Sequence, residues 1–120
     1  MKCIVAKLIV AAAAIVALDF DCAHAASTMS EQQARAKAIA ILRGDPYGRT
    51  NVEVASHIKA ARLLQNGQSS ACGTKTAAWE FHVVVVTRDK DKYDNGVIDG
   101  YLAIDARTGK ILCANLPQMD

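Results

Sequence analysis

Along the chain the apolar positions first keep a helical period and later a strand period. Ala34, Ala38, Ile41 and Leu42 fall on one helix face, and Arg35, Lys37 and Arg43 fall on the others. Ser30 with Gln33 three residues on is a capping box, and Glu31 suits the positive end of the helix dipole. Gly44 and Pro46 stop the run. These signals predict a helix over 30–43. A second capping box, Thr50 with Glu53, opens another apolar set at Val54, Ile58, Ala61 and Leu64, which stops at Asn66-Gly67. This spacing predicts a helix over 51–65. The competing reading is a strand, because Val52, Val54, Ile58 and Ala60 share a parity. Alanine, arginine and lysine in the segment favour the helix.

From Trp79 the period becomes two. Trp79, Phe81, Val83 and Val85 share one parity, and Glu80, His82, Val84 and Val86 share the other. In the next run Ile98, Gly100, Leu102 and Ile104 form the apolar set, with Asp99, Tyr101 and Ala103 opposite. Gly100 gives room for a large neighbour, such as Trp79 or Phe81, to lie across the backbone. Asn95-Gly96 is a turn signal, and Asp105 to Gly109 reads as a tight hairpin leading into Lys110–Cys113. Three β-rich runs joined by two turns predict an antiparallel meander. The heavier set, led by Trp79 and Phe81, faces the helices. The predicted class is α+β, with one or two helices on one face of an antiparallel sheet.

The N-terminus stands apart from this pattern. Lys2 and Lys7 precede an unbroken apolar run from Leu8 to Leu18, and Ala23-His24-Ala25 fits a small-residue cleavage site. This is the make-up of a secretory signal peptide over 1–25, leaving one domain over 26–120 in the periplasm or outside the cell. Asp21 before Cys22 does not fit a lipid-anchor signal. The apolar run is shorter than the roughly 20 residues of a membrane span. Ala26 to Met29 reads as a frayed lead-in.

The chain holds four cysteines. Cys3 and Cys22 fall in the leader, so Cys72 and Cys113 remain and are expected to pair as one disulfide in an oxidising compartment. Net charge is +2, and the leader's two lysines and two aspartates leave that balance unchanged. The basic residues are scattered. Neither nucleic acid nor an anionic membrane is implied.

Candidate chemistry is thin. Ser56 beside His57 is no catalytic pair, since helix neighbours point apart. His82 and Glu80 share a strand face and could bind a metal, but a half-exposed histidine on a sheet explains them as well. Asp99 and Asp105 are six residues apart, about 20 Å along a strand, too far for a glycosidase pair. Asp89 to Gly96 fails the calcium-loop pattern in either register, because Tyr93 falls on a ligand position. No catalytic residue, metal or cofactor is expected, and the chain is read as a nonenzymatic protein.

The segment Gly100-Tyr101-Leu102-Ala103-Ile104-Asp105-Ala106-Arg107-Thr108-Gly109-Lys110-Ile111-Leu112 resembles the end of a PepSY-like domain, a strand, an Asp-Ala-x-Thr-Gly hairpin and a last strand. The alanine- and isoleucine-rich stretch Glu31 to Leu42 is similar to that family's opening helix. The middle, Asp45 to Ala78, is longer than the family pattern. The resemblance implies a small envelope or secreted α+β module without catalytic residues, and a role in inhibiting peptidases.

A binding surface is suggested by the second sheet parity. If both helices cover the other face, His82, Val84, Val86 and Tyr101 form a mixed aliphatic and aromatic patch. The Asp89–Gly96 hairpin then adds Tyr93, with Asp91 and Asp94 as a charged rim. Alternatively the second helix or another copy of the chain covers the patch. The expected partner is a protein, such as a peptidase or cell-wall hydrolase that this chain inhibits, as an immunity protein would. A structural module of the envelope is the other reading.

Overall fold

A computed structural model describes residues 27–119; the signal peptide expected over 1–25 lies outside the described residues. Helix α1 spans Glu31–Leu42 and helix α2 spans Asn51–His57, followed by strands β1 (Ile58–Leu64), β2 (Ala78–Val86), β3 (Val97–Asp105) and β4 (Ile111–Ala114). A 3-10 turn at Asp94–Gly96 precedes β3. The strands form one antiparallel sheet in the order β1-β2-β3-β4. Both helices pack on one face of it, so the described residues form an α+β fold of two helices and four strands with one disulfide among them, between Cys72 and Cys113.

Local chemistry sets each boundary. Ser30 Oγ accepts the Gln33 amide, and the Gln33 side chain accepts the Ser30 amide. Thr50 and Glu53 make the same reciprocal pair ahead of α2. Along α1, Ala34, Ala38 and Leu42 are buried; the two alanines let the helix lie close to the sheet. Asp105 Oδ1 accepts the amides of Arg107 and Thr108, and Gly109 takes a φ of +77° to close the last hairpin. Those two amides hold the Asp105 carboxyl below its usual range. Asn95 and Gly96 both have positive φ, as the turn before β3 requires.

The helix-side core holds Trp79, Phe81, Val83 and Val85 of β2 with Ile98, Leu102 and Ile104 of β3, as their parity predicts. Trp79 Nε1 donates to the Met29 carbonyl at 3.0 Å, and the Met29 amide donates to Ala106. Met29 is therefore tied down on both sides rather than frayed. Tyr47 is buried at the bottom of the α1–α2 loop. Its hydroxyl donates to the Pro117 carbonyl, and burial first, then the neighbouring Tyr93, push it up to about 12.

Two further expectations about the fold are corrected. The second helix stops at His57, and Ile58–Leu64 is strand β1. The helical spacing of Ile58 and Ala61 arises from a bulge. Ile58 pairs with Val83 and Ala60 with His82, so Lys59 is an extra residue and both Ile58 and Ala61 face the core. Gly100 does make room for a neighbour, but that neighbour is the C-terminal segment. A Cβ there would lie 2.5 Å from the Asn115 carbonyl oxygen and 2.9 Å from Leu116.

Candidate functional site

The outer face of the sheet, away from the helices, is divided in two. One half is covered. Leu64, Ala78, Glu80 and Ala103 point outward by parity yet are buried. What covers them is the stretch 65–77, which joins β1 to β2. Cys72 in that stretch is bonded to Cys113 on β4, with Cα atoms 5.8 Å apart, and Cys113 sits opposite Ala103. Ser70 is buried beside both sulfurs, and its hydroxyl accepts the amides of Gly73 and Thr74.

Glu80 is the second tether. Its side chain is 3% exposed, and both oxygens are used. One accepts the Ala71 amide at 2.5 Å, and the other accepts Arg62 Nη2 at 2.8 Å. A buried carboxylate is tolerated only when paired in this way. Arg62 reaches it from the directly opposite position on β1, where it is itself largely exposed.

The other half is open. His82 and Tyr101 are cross-strand neighbours, and their rings stack with centroids 4.6 Å apart and planes 15° from parallel. Asp99, two residues from Tyr101 on β3, accepts a hydrogen bond from His82 Nε2 at 2.6 Å. Val84 faces Asp99 and Val86 faces Val97. Val84 is half-buried, Val86 is 78% exposed, and Val97 is also exposed. The strip therefore runs from a rigid aromatic pair to two exposed valines, with Asp99 between them.

The residues singled out in the sequence are thus separated. His82, Tyr101, Val84 and Val86 lie together on the open strip. Tyr93 does not join them; it packs against the helix-side core, and its hydroxyl is 3.4 Å from Gln118 Nε2. The Thr87–Gly96 loop is closed on itself, the Thr87 amide donating to Gly96 and the Tyr93 and Lys92 amides to Asp89, and Tyr93 carries it against the helix-side core. Asp91 and Asp94 are exposed within it. The second helix leaves the strip uncovered.

Among the described residues, neither His57 nor His82 is hydrogen-bonded to a nucleophile. His57 Nδ1 is 2.7 Å from the Tyr47 carbonyl oxygen, and His82 is taken by Asp99. Glu80 and His82 turn to different partners, Glu80 to Arg62 and the Ala71 amide and His82 to Asp99. Among the described residues no group of three or more His, Cys, Asp or Glu is placed to hold a metal ion, and no helix is long and apolar enough to cross a membrane.

Sequence reasoning missed Arg62, Ala60 and Ala71 as neighbours of this site. Arg62 was hidden inside the expected helix; read as strand, it falls opposite Glu80, and the pair follows from alternate charges across a ladder. Ala71 carries no signal, since it acts through its backbone amide. No family model matches the chain, and no curated protein or solved structure matches it.

Proposed function

We propose that this chain is a noncatalytic, exported protein-binding domain, and that the open strip of the sheet is its contact surface. The observation that carries the reading is the uneven treatment of one face. The chain covers half of it with a disulfide-pinned segment and leaves the other half, with Val86 78% exposed, to solvent. Exposed apolar groups beside aromatic rings and a polar rim have the make-up of an interface. Tyr101 and His82 are already fixed by stacking and by Asp99, so little side-chain entropy is lost when a partner docks.

The specific form is inhibition of an envelope hydrolase, either a peptidase or a cell-wall-cleaving enzyme, as an immunity protein would. The PepSY-like hairpin and opening helix support this form, and so does the leader pattern of residues 1–25. Affinity capture from an envelope extract tests it, with each captured protein assayed for hydrolase activity with and without the domain. A captured hydrolase that loses activity supports inhibition. Captured envelope components without hydrolase activity support a structural module instead. Failure to retain any protein through the strip overturns the binding reading.

A further inference from the structure

Where the covered and open halves of the outer face meet lies a hollow of about 280 Å³, lined by Ala60, Arg62, Ala71, Glu80, His82 and Tyr101. Its shape comes from small residues. On β1 the position opposite His82 is Ala60, and the tethered segment contributes Ala71. Both are exposed methyl groups. Tyr101 stacks on one face of His82 from the β3 side. Across the ladder on β1, His82 faces only the Ala60 methyl, with Arg62 beside it in the lining.

The charges of the hollow are all answered from within. Glu80 is bonded to Arg62 and to the Ala71 amide, and His82 Nε2 to Asp99. A cation or an anion entering would lose water without gaining a free counter-charge. The volume lies at the foot of the range for small-molecule sites, about 300 Å³ and upward, and is enough for one side chain. A neutral planar group gains most here. It continues the Tyr101–His82 stack as a third ring.

We propose that this hollow receives one neutral aromatic side chain of the protein partner, stacked on the free face of His82. The inference rests on the open strip being the contact surface, and it supplies that surface with an anchor. Aromatic residues seated in small pockets are where interface energy concentrates.

The test is an NMR titration of the purified protein with N-acetyl-tryptophanamide, beside N-acetyl-leucinamide, N-acetyl-lysinamide and acetate. The tryptophan analogue should give saturable ring-current shifts at the His82 ring and the Ala60 and Ala71 methyls, at an affinity at least about tenfold above the other three. Ala60→Leu fills the hollow from within and should weaken that binding about tenfold or more. The core signals of Phe81 and Leu102 serve as the check that this variant is folded. No saturable shift up to the solubility limit overturns the anchor, as do equal shifts from the leucine, lysine or acetate probes. Partner capture separates this inference from the wider reading. If Ala60→Leu retains the partner while Val86→Asp loses it, the anchor is wrong and the contact strip stands. If both retain it, the strip falls as well.

Discussion

The two halves of the outer sheet face belong to the same strands. On β2 the outward positions run Ala78, Glu80, His82, Val84, Val86, and on β3 they run Ala103, Tyr101, Asp99, Val97. The first members of each run are buried, and the last are exposed. Strand chemistry does not explain this, because valine is a better candidate for burial than glutamate. The cover explains it. A stretch of polar and small residues has no hydrophobic drive to lie on a sheet, so it needs fixed points, and it has two: the Cys72–Cys113 bond and the Glu80 carboxylate. Burial on this face follows the tethers, and the half beyond their reach stays open.

Cutting the first tether should have the largest effect. The disulfide links residues 41 apart in sequence, and chain entropy assigns such a bond about 4 kcal/mol. Cys72→Ala with Cys113→Ala should lower stability by about that amount in urea unfolding and should expose Leu64, Ala78 and Ala103 to an apolar dye. If the double variant unfolds with unchanged midpoint, the covered half is held by something else.

The second tether is next. Glu80→Ala frees Arg62 into water but leaves the Ala71 amide without its acceptor, a loss of about 2 kcal/mol. Glu80→Gln keeps an acceptor and should lose less. Hydrogen exchange at Ala71 reads the effect directly. The amide should exchange faster in Glu80→Ala while amides of β3 facing Val86 do not change.

Tyr47 offers a control on the opposite face. Its hydroxyl is raised from 10.0 to about 12, so the fold prefers the protonated phenol. That contribution is fully present below about pH 10 and is lost as pH rises through 12. The shift corresponds to about 3 kcal/mol. Alkaline titration followed at the tyrosinate absorbance should show a late step that Tyr47→Phe removes. Unfolding should accompany that step, with both halves of the outer face intact until then.

Residues of the open half should matter least for stability. Tyr101→Ala removes one stacked ring and should lower stability by about 1 kcal/mol, measured by thermal unfolding. A much larger loss would mean that Tyr101 is part of the core.

The sequence made much of this legible. Both capping boxes, the parity of β2 and β3 and the Asp105–Gly109 hairpin act locally or through a simple period, the two cysteines outside the leader pair with each other, and each is found as predicted. What escaped depends on relations between distant residues. A bulge at Lys59 gave β1 the spacing of a helix. The backbone amide of Ala71 found Glu80 through a segment with no period of its own. Tyr93 lies in a loop outside the strands and packs against the helix-side core, so its share of a patch with Tyr101 could not be judged from parity.

Two valines allow the central claim to be tested with little confusion from stability. Val52 on α2 is 79% exposed and Val86 on the open strip is 78% exposed, so aspartate at either should change stability by no more than about 0.5 kcal/mol. They differ in the side of the molecule they occupy. Wild type, Val52→Asp and Val86→Asp should be compared as baits for the same captured partner, each with its melting temperature. The account predicts that Val52→Asp retains the partner and Val86→Asp loses it. Retention by Val86→Asp, or loss confined to Val52→Asp, would contradict it.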